Sequence, residues 1–152
     1  MKSIYLENEN ATSILGQKLG KALFKGAILC LNGDLGAGKT ALTKSIALGL
    51  NIKDDITSPT FTIVNEYEDG RLKLNHFDVY RIGSSDEMYD IGFEEYLNSD
   101  GVCIIEWSNI IEDILPSERL DINISYQDMG RNIEFIPRGQ AYKSLVEEVI
   151  GV

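Results

Sequence analysis

The chain has 152 residues, 43% of them hydrophobic and 25% charged, which suits one folded domain around a single core and excludes a mostly disordered polypeptide. Twenty-four acidic against fourteen basic residues leave a net charge of −10. That balance argues against broad electrostatic binding of nucleic acid, yet it permits a local anion site built from backbone amides.

In chain order, residues 3–6 read as a short strand. Asn10 is expected to cap a helix running to about Phe24, with Ala11, Leu15, Leu19, Ala22 and Leu23 on one face and Gly26 as its stop. Residues 27–31 are continuously apolar, the pattern of a parallel strand buried on both faces. A glycine-rich loop and a helix to about Leu48 follow. Residues 60–68 and 71–78 predict a hairpin around Asp69-Gly70, and residues 85–98 an acidic helical stretch broken near Gly92. Residues 102–107 form a second buried strand, ending in Glu106 and Trp107. A short helix over 109–115 stops at Pro116, a second hairpin joins 120–126 to 131–137, and a helix over 141–150 closes the chain. The expected fold is α/β: a P-loop NTPase-like three-layer arrangement in one domain, 1–152, whose mixed, mostly parallel central sheet is extended by antiparallel hairpins.

Neither apolar run reaches membrane-spanning length, and the opening MKSIYLENEN has no signal-peptide core. Cys30 and Cys103 lie inside the apolar runs, without metal-site spacing, and read as reduced core thiols. A cytosolic protein with no membrane partner is expected.

The sharpest signal is Gly33-Asp34-Leu35-Gly36-Ala37-Gly38-Lys39-Thr40, a Walker A pattern with a buried strand before it and a helix after it. Its glycines permit a tight turn in which the amides from Gly36 to Thr40 face a phosphate, aided by the positive end of the following helix. Lys39 is expected at the β- and γ-phosphates, and the Thr40 hydroxyl on Mg²⁺. Glu106 and Asp78 are the strand-end carboxylates available to hold magnesium or orient water. His76, the one histidine, is either packed beside the site or part of it.

No Asn-Lys-x-Asp motif for guanine and no Asp-x-x-Gly switch follows the loop, so ATP is favoured. Small-molecule kinases share this early loop but add an arginine-rich lid, and the five arginines here are scattered. A nucleotide-gated binding module with negligible hydrolysis is a third reading.

Together the loop, Ser58-Pro59-Thr60-Phe61 leading into Val64-Asn65-Glu66-Tyr67, His76-Phe77-Asp78-Val79-Tyr80-Arg81, Ile105-Glu106-Trp107 and Leu115-Pro116 resemble the TsaE (YjeE) family along nearly the whole chain. The resemblance implies an ATPase of tRNA threonylcarbamoyladenosine synthesis that works with a TsaD-like threonylcarbamoyl transferase and a TsaB-like subunit, touching tRNA only through that complex. It further implies that Lys39 and the loop amides bind phosphates, that Thr40 and Glu106 hold Mg²⁺, and that Asp78 lies next to the γ-phosphate. The base would lie near Glu9 to Thr12 and near Gly130 and Arg131, and the Ser58–Phe61 segment would sense the nucleotide. Ala41-Leu42 departs from the family, which often has a second threonine after the Walker threonine; the phosphate chemistry is untouched. Tyr80, Tyr89, Phe93 and Tyr96 are expected mostly in the core, and Trp107 is expected to pack at its strand end.

Overall fold

The structure is a computed structural model and describes residues 1–34 and 36–151. The chain runs β1 (Lys2–Leu6), α1 (Glu9–Ala22), β2 (Ile28–Gly33), α2 (Lys39–Gly49), β3 (Val64–Tyr67), β4 (Leu74–Asp78), α3 (Asp86–Asp90), α4 (Phe93–Leu97) and β5 (Val102–Glu106). A 3₁₀ helix (Ser108–Ile114), β6 (Arg119–Gln127), β7 (Gly130–Arg138) and α5 (Gln140–Ile150) complete it. Among the described residues the seven strands make one sheet in the order β1-β7-β6-β2-β5-β4-β3. The four central strands β6, β2, β5 and β4 run parallel, while β7, β1 and β3 are added antiparallel at the edges.

Strand alternation divides the core in two. Leu29 and Leu31 of β2, with Val102 and Ile104 of β5, face α1, α2 and α5, where Leu19, Leu42, Ile46 and Leu145 cover them. Ile28, Cys30, Cys103 and Ile105 face the other way, against Met88, Phe93 and Ile111. The result is the expected three layers. No described helix is long and apolar enough to cross a membrane.

Three local expectations shift. The cap of α1 is Asn8, not Asn10: extended at φ −155°, it accepts a hydrogen bond from the Ala11 amide at 2.9 Å, so Asn10 falls in the first turn. Asp69-Gly70 is not a two-residue turn, since β3 pairs with β4 only from Tyr67 opposite Leu74. The intervening segment instead docks on the helices. Asp69 accepts from the Lys53 amide at 2.9 Å, Arg71 N–H donates to the Leu50 carbonyl, and the Arg71 guanidinium caps the carbonyls of Gly20, Lys21 and Leu23. Of the four aromatics assigned to the core, Phe93 is buried and Tyr96 half-buried, but Tyr80 and Tyr89 are exposed.

Candidate functional site

β2 stays apolar and buried through Leu31 and then delivers the chain to the glycine-rich loop at the carboxyl end of the sheet. Gly38 precedes α2 at φ 110°, a left-handed conformation that glycine adopts without penalty. The first helical bond runs from the Leu42 amide to the Gly38 carbonyl, so the amides of Lys39, Thr40 and Ala41 have no intrahelical acceptor and form an anion-attracting helix start. One amide departs from expectation. Ala37 N–H donates to the Asp34 carbonyl at 3.0 Å, closing a turn within the loop rather than facing its interior.

The Lys39 side chain is buried, at 6% exposure, and its ammonium donates to the carbonyls of Gly33 at 2.7 Å and Asp34 at 2.9 Å. It also lies 4.2 Å from the centre of the Trp107 ring, a cation–π contact. Burial lowers its pKa below the ordinary lysine value, while Glu106, Asp78 and Asp34 pull the other way. Trp107 is half-buried, with the Tyr80 ring tilted at 52° against it, centres 4.8 Å apart. It therefore does more than pack a strand end: at φ 63° it turns the chain out of β5 and lies beside the phosphate-loop lysine.

Asp78 and Glu106 end adjacent parallel strands and face α2, as Leu74 and Ile104 on those strands do. Glu106, 2% exposed, receives His76 Nε2 on Oε2 and the Thr40 hydroxyl on Oε1 at 3.4 Å. The acceptor carboxylate assigns the proton of that contact to Nε2 of His76; Nδ1, fully buried, has no partner among the described residues. His76 is thus part of the site. Asp78 Oδ2 accepts from the Ser58 and Thr60 hydroxyls at 3.2 and 3.3 Å, and Oδ1 from the Tyr80 amide at 3.0 Å. A hydroxyl and a single carboxylate oxygen beside a phosphate loop suit Mg²⁺, a cation that keeps several waters and takes its other ligands from phosphate.

Two adjoining cavities meet at Gly36, Gly38 and Ala41. The smaller, about 440 Å³, is lined by Lys39, Thr40, Asp78 and Glu106, with Ser58 and Trp107 at its wall. The larger, about 750 Å³, is lined by Glu9, Thr12, Ala37, Gly130 and Arg131. The structure therefore groups the predicted site residues into these two spaces, with Gly33 and Asp34 supplying carbonyls to Lys39; Leu35 lies outside the described residues. Sequence reasoning missed Tyr126, whose hydroxyl donates to the Gly36 carbonyl at 2.5 Å. Its place across the hairpin from Arg131 is the signal that could have found it.

Residues 6–133 match the family model described as "Threonylcarbamoyl adenosine biosynthesis protein TsaE". The tRNA threonylcarbamoyladenosine biosynthesis protein TsaE of Bacillus subtilis is 50% identical over 134 residues, spanning 87% of this chain and 84% of that protein. The Haemophilus influenzae protein of the same name is 37% identical over 93% of each chain. A crystal structure of YdiB from Bacillus subtilis superposes with a TM-score of 0.86 at 40% identity, over 97% of this chain and 93% of that one. The chain belongs to the TsaE family of threonylcarbamoyladenosine biosynthesis proteins.

Proposed function

We propose that the chain is the Mg-ATP-hydrolysing subunit of tRNA threonylcarbamoyladenosine synthesis, acting with a TsaD-like transferase and a TsaB-like subunit. The observation that carries this reading is the meeting of Thr40, at the start of the phosphate-loop helix, with Glu106, at the end of the neighbouring strand. The larger cavity would hold adenosine beside Glu9, Thr12, Gly130 and Arg131, and the loop amides would hold the phosphates. Thr40 and Glu106 would hold Mg²⁺, which would supply positive charge at the β- and γ-phosphates. Lys39, fixed beside the loop, would contribute the second positive charge. Asp78 shares the smaller cavity with Lys39 and Glu106, where its carboxylate would accept a hydrogen bond from the attacking water and orient it.

Arg71 caps α1, Arg119 and Arg138 share Asp121, and Arg131 donates to the Ala37 carbonyl at the wall of the larger cavity; of the arginines Arg81 alone lines the smaller cavity, where it lies over the Phe61 ring at 4.7 Å. That distribution disfavours the arginine-lidded kinase. With Arg81 held over Phe61 rather than bonded to the loop, γ-phosphate charge would be undercompensated as hydrolysis proceeds, a deficit that a supplied arginine relieves by ~10³–10⁵ in rate in related enzymes. The isolated chain would therefore turn over slowly. A partner that completes the site must favour the ATP form, by linkage. The acidic composition agrees with leaving tRNA to those partners.

The test is turnover and partner affinity together. Phosphate-labelled ATP should yield free phosphate, faster when the TsaD-like and TsaB-like subunits are present, and the ATP form should bind them more tightly than the ADP form. A labelled small-molecule product would establish a kinase. Fast hydrolysis by the isolated chain, with equal partner affinity for both nucleotide forms, would overturn the partner-completed model.

A further inference from the structure

The β6–β7 hairpin holds the glycine-rich loop from the side of the larger cavity, whose wall Arg131 shares with Gly36, Ala37 and Gly38. Tyr126 and Arg131 are directly paired across the hairpin, and the Arg131 guanidinium lies 4.2 Å from the Tyr126 ring centre. The Tyr126 hydroxyl donates to the Gly36 carbonyl at 2.5 Å, and Arg131 Nε donates to the Ala37 carbonyl at 2.8 Å. Two consecutive carbonyls are therefore drawn towards the hairpin by one side-chain pair. In a planar trans peptide the carbonyl and the N–H point in opposite directions. Holding the Ala37 carbonyl on Arg131 thus aims the Gly38 amide to the opposite side, beside the free amides at the start of α2. Holding the Gly36 carbonyl on Tyr126 fixes the preceding plane, whose Ala37 N–H is already bound to Asp34.

The hairpin is braced for this. Any side chain at Gly130 would collide with the Leu6 carbonyl and the Tyr5 hydroxyl, so the hairpin end lies directly against β1. Arg131 Nη1 also donates to the Gly130 carbonyl at 3.1 Å, fixing the guanidinium to the backbone that carries it.

We infer that Tyr126 and Arg131 are positioning residues that pre-form the phosphate cradle by holding the Gly36 and Ala37 carbonyls on the hairpin. This rests on the reading of the loop as a phosphate site. A cradle set in advance needs no reorganisation when an anion arrives, so its loss weakens every ligand that carries the phosphates and spares one that does not.

The test compares inorganic pyrophosphate, ATP and adenosine by calorimetric titration in magnesium buffer. Tyr126→Phe keeps the ring under Arg131 and removes only the hydroxyl. It is expected to weaken pyrophosphate and ATP by the same factor, about three- to tenfold, the worth of one hydrogen bond, with adenosine unchanged. Arg131→Gln, should Tyr126→Phe not fold, is read on pyrophosphate alone, because Arg131 also lines the larger cavity, and is expected to weaken it by a similar factor. Hydrogen exchange at the bonded amides of Ala37 and Leu42 should quicken in either variant while the β2 amides stay protected, a pattern that general destabilisation does not produce. Unchanged pyrophosphate affinity, a loss confined to ATP and adenosine, or exchange quickened throughout β2 would each overturn the clamp. A wild-type chain that binds neither pyrophosphate nor ATP would instead remove the phosphate-site reading itself.

Discussion

Asp78 stands directly opposite Glu106 in the parallel register of β4 and β5, the two carboxylates closing neighbouring strands at the mouth of one cavity. They are held by different parts of the chain. Glu106 is bonded to His76 within the sheet and to Thr40 on the phosphate-loop helix, whereas Asp78 is bonded to Ser58 and Thr60, ahead of β3. The first arrangement links two elements of the core, the sheet and α2. The second ties a carboxylate to a segment whose Phe61 is 84% exposed.

Lys39→Ala is expected to weaken ATP binding by at least about tenfold, because a charge-assisted contact to phosphate is removed while the fold survives. Trp107 is the one tryptophan and lies 4.2 Å from Lys39. Mg-ATP should change its emission in the wild type, and Lys39→Ala should abolish that change at the same ligand concentration. Unaltered ATP affinity in the folded variant would contradict the phosphate-loop reading.

Thr40→Ala and Glu106→Gln each remove one oxygen suited to Mg²⁺, so both should lower partner-stimulated ATP turnover, Glu106→Gln by about a hundredfold. The check is phosphate release over a magnesium titration. Normal turnover by Glu106→Gln would move the metal assignment to Asp78.

His76→Phe should destabilise the fold by about 2–4 kcal/mol, since it leaves the buried Glu106 Oε2 without its partner and only the long Thr40 contact on Oε1. Adding Glu106→Gln should recover part of that loss, because a neutral amide tolerates burial better than an unpaired carboxylate. Denaturant midpoints of the two variants supply the comparison; no recovery in the double variant would place the cost in packing alone.

Asp78→Ala removes the acceptor of the Ser58 and Thr60 hydroxyls and of the Tyr80 amide. The segment ahead of β3 should then open more often, and chymotrypsin should cut at Phe61 faster than in the wild type. Equal cleavage rates would show that the segment is held by its other contacts, such as the Ile63 amide on the Pro59 carbonyl.

Burial pushes the Cys30 and Cys103 thiols up to about 12. The thiols ionise more readily in the unfolded chain, so their contribution to stability is whole below the ordinary thiol value of 9.0 and is lost as pH rises from there towards about 12. Each should cost about 1.4 kcal/mol per pH unit in that window. Urea midpoints measured from pH 8 to pH 11 check this, and Cys30→Ala should flatten the decline relative to its own value at pH 8. A wild-type midpoint that is flat to pH 11 would contradict it.

What the sequence determined by itself was what lies close together along it. The glycine-rich motif is eight consecutive residues between an apolar run and a helix, and those neighbours already imply the unbonded amides at the start of α2. The same holds for the doubly buried strands 28–31 and 102–105 and for the late hairpin, because alternation and turn chemistry act over a few residues. Tertiary structure decided the meetings across the chain. His76 reaches Glu106 over 30 positions, Ser58 reaches Asp78 over 20, and Tyr126 reaches Gly36 over 90. It also decided that Asp69-Gly70 would serve a docking segment rather than a tight turn, since Leu50 and the end of α1 supply partners that no local pattern reveals. Periodicity tells a side chain which face it takes; which strand lies beside it follows from the crossovers that set β4 against β5 and β6 against β2, and those pairings exist only once the sheet has assembled.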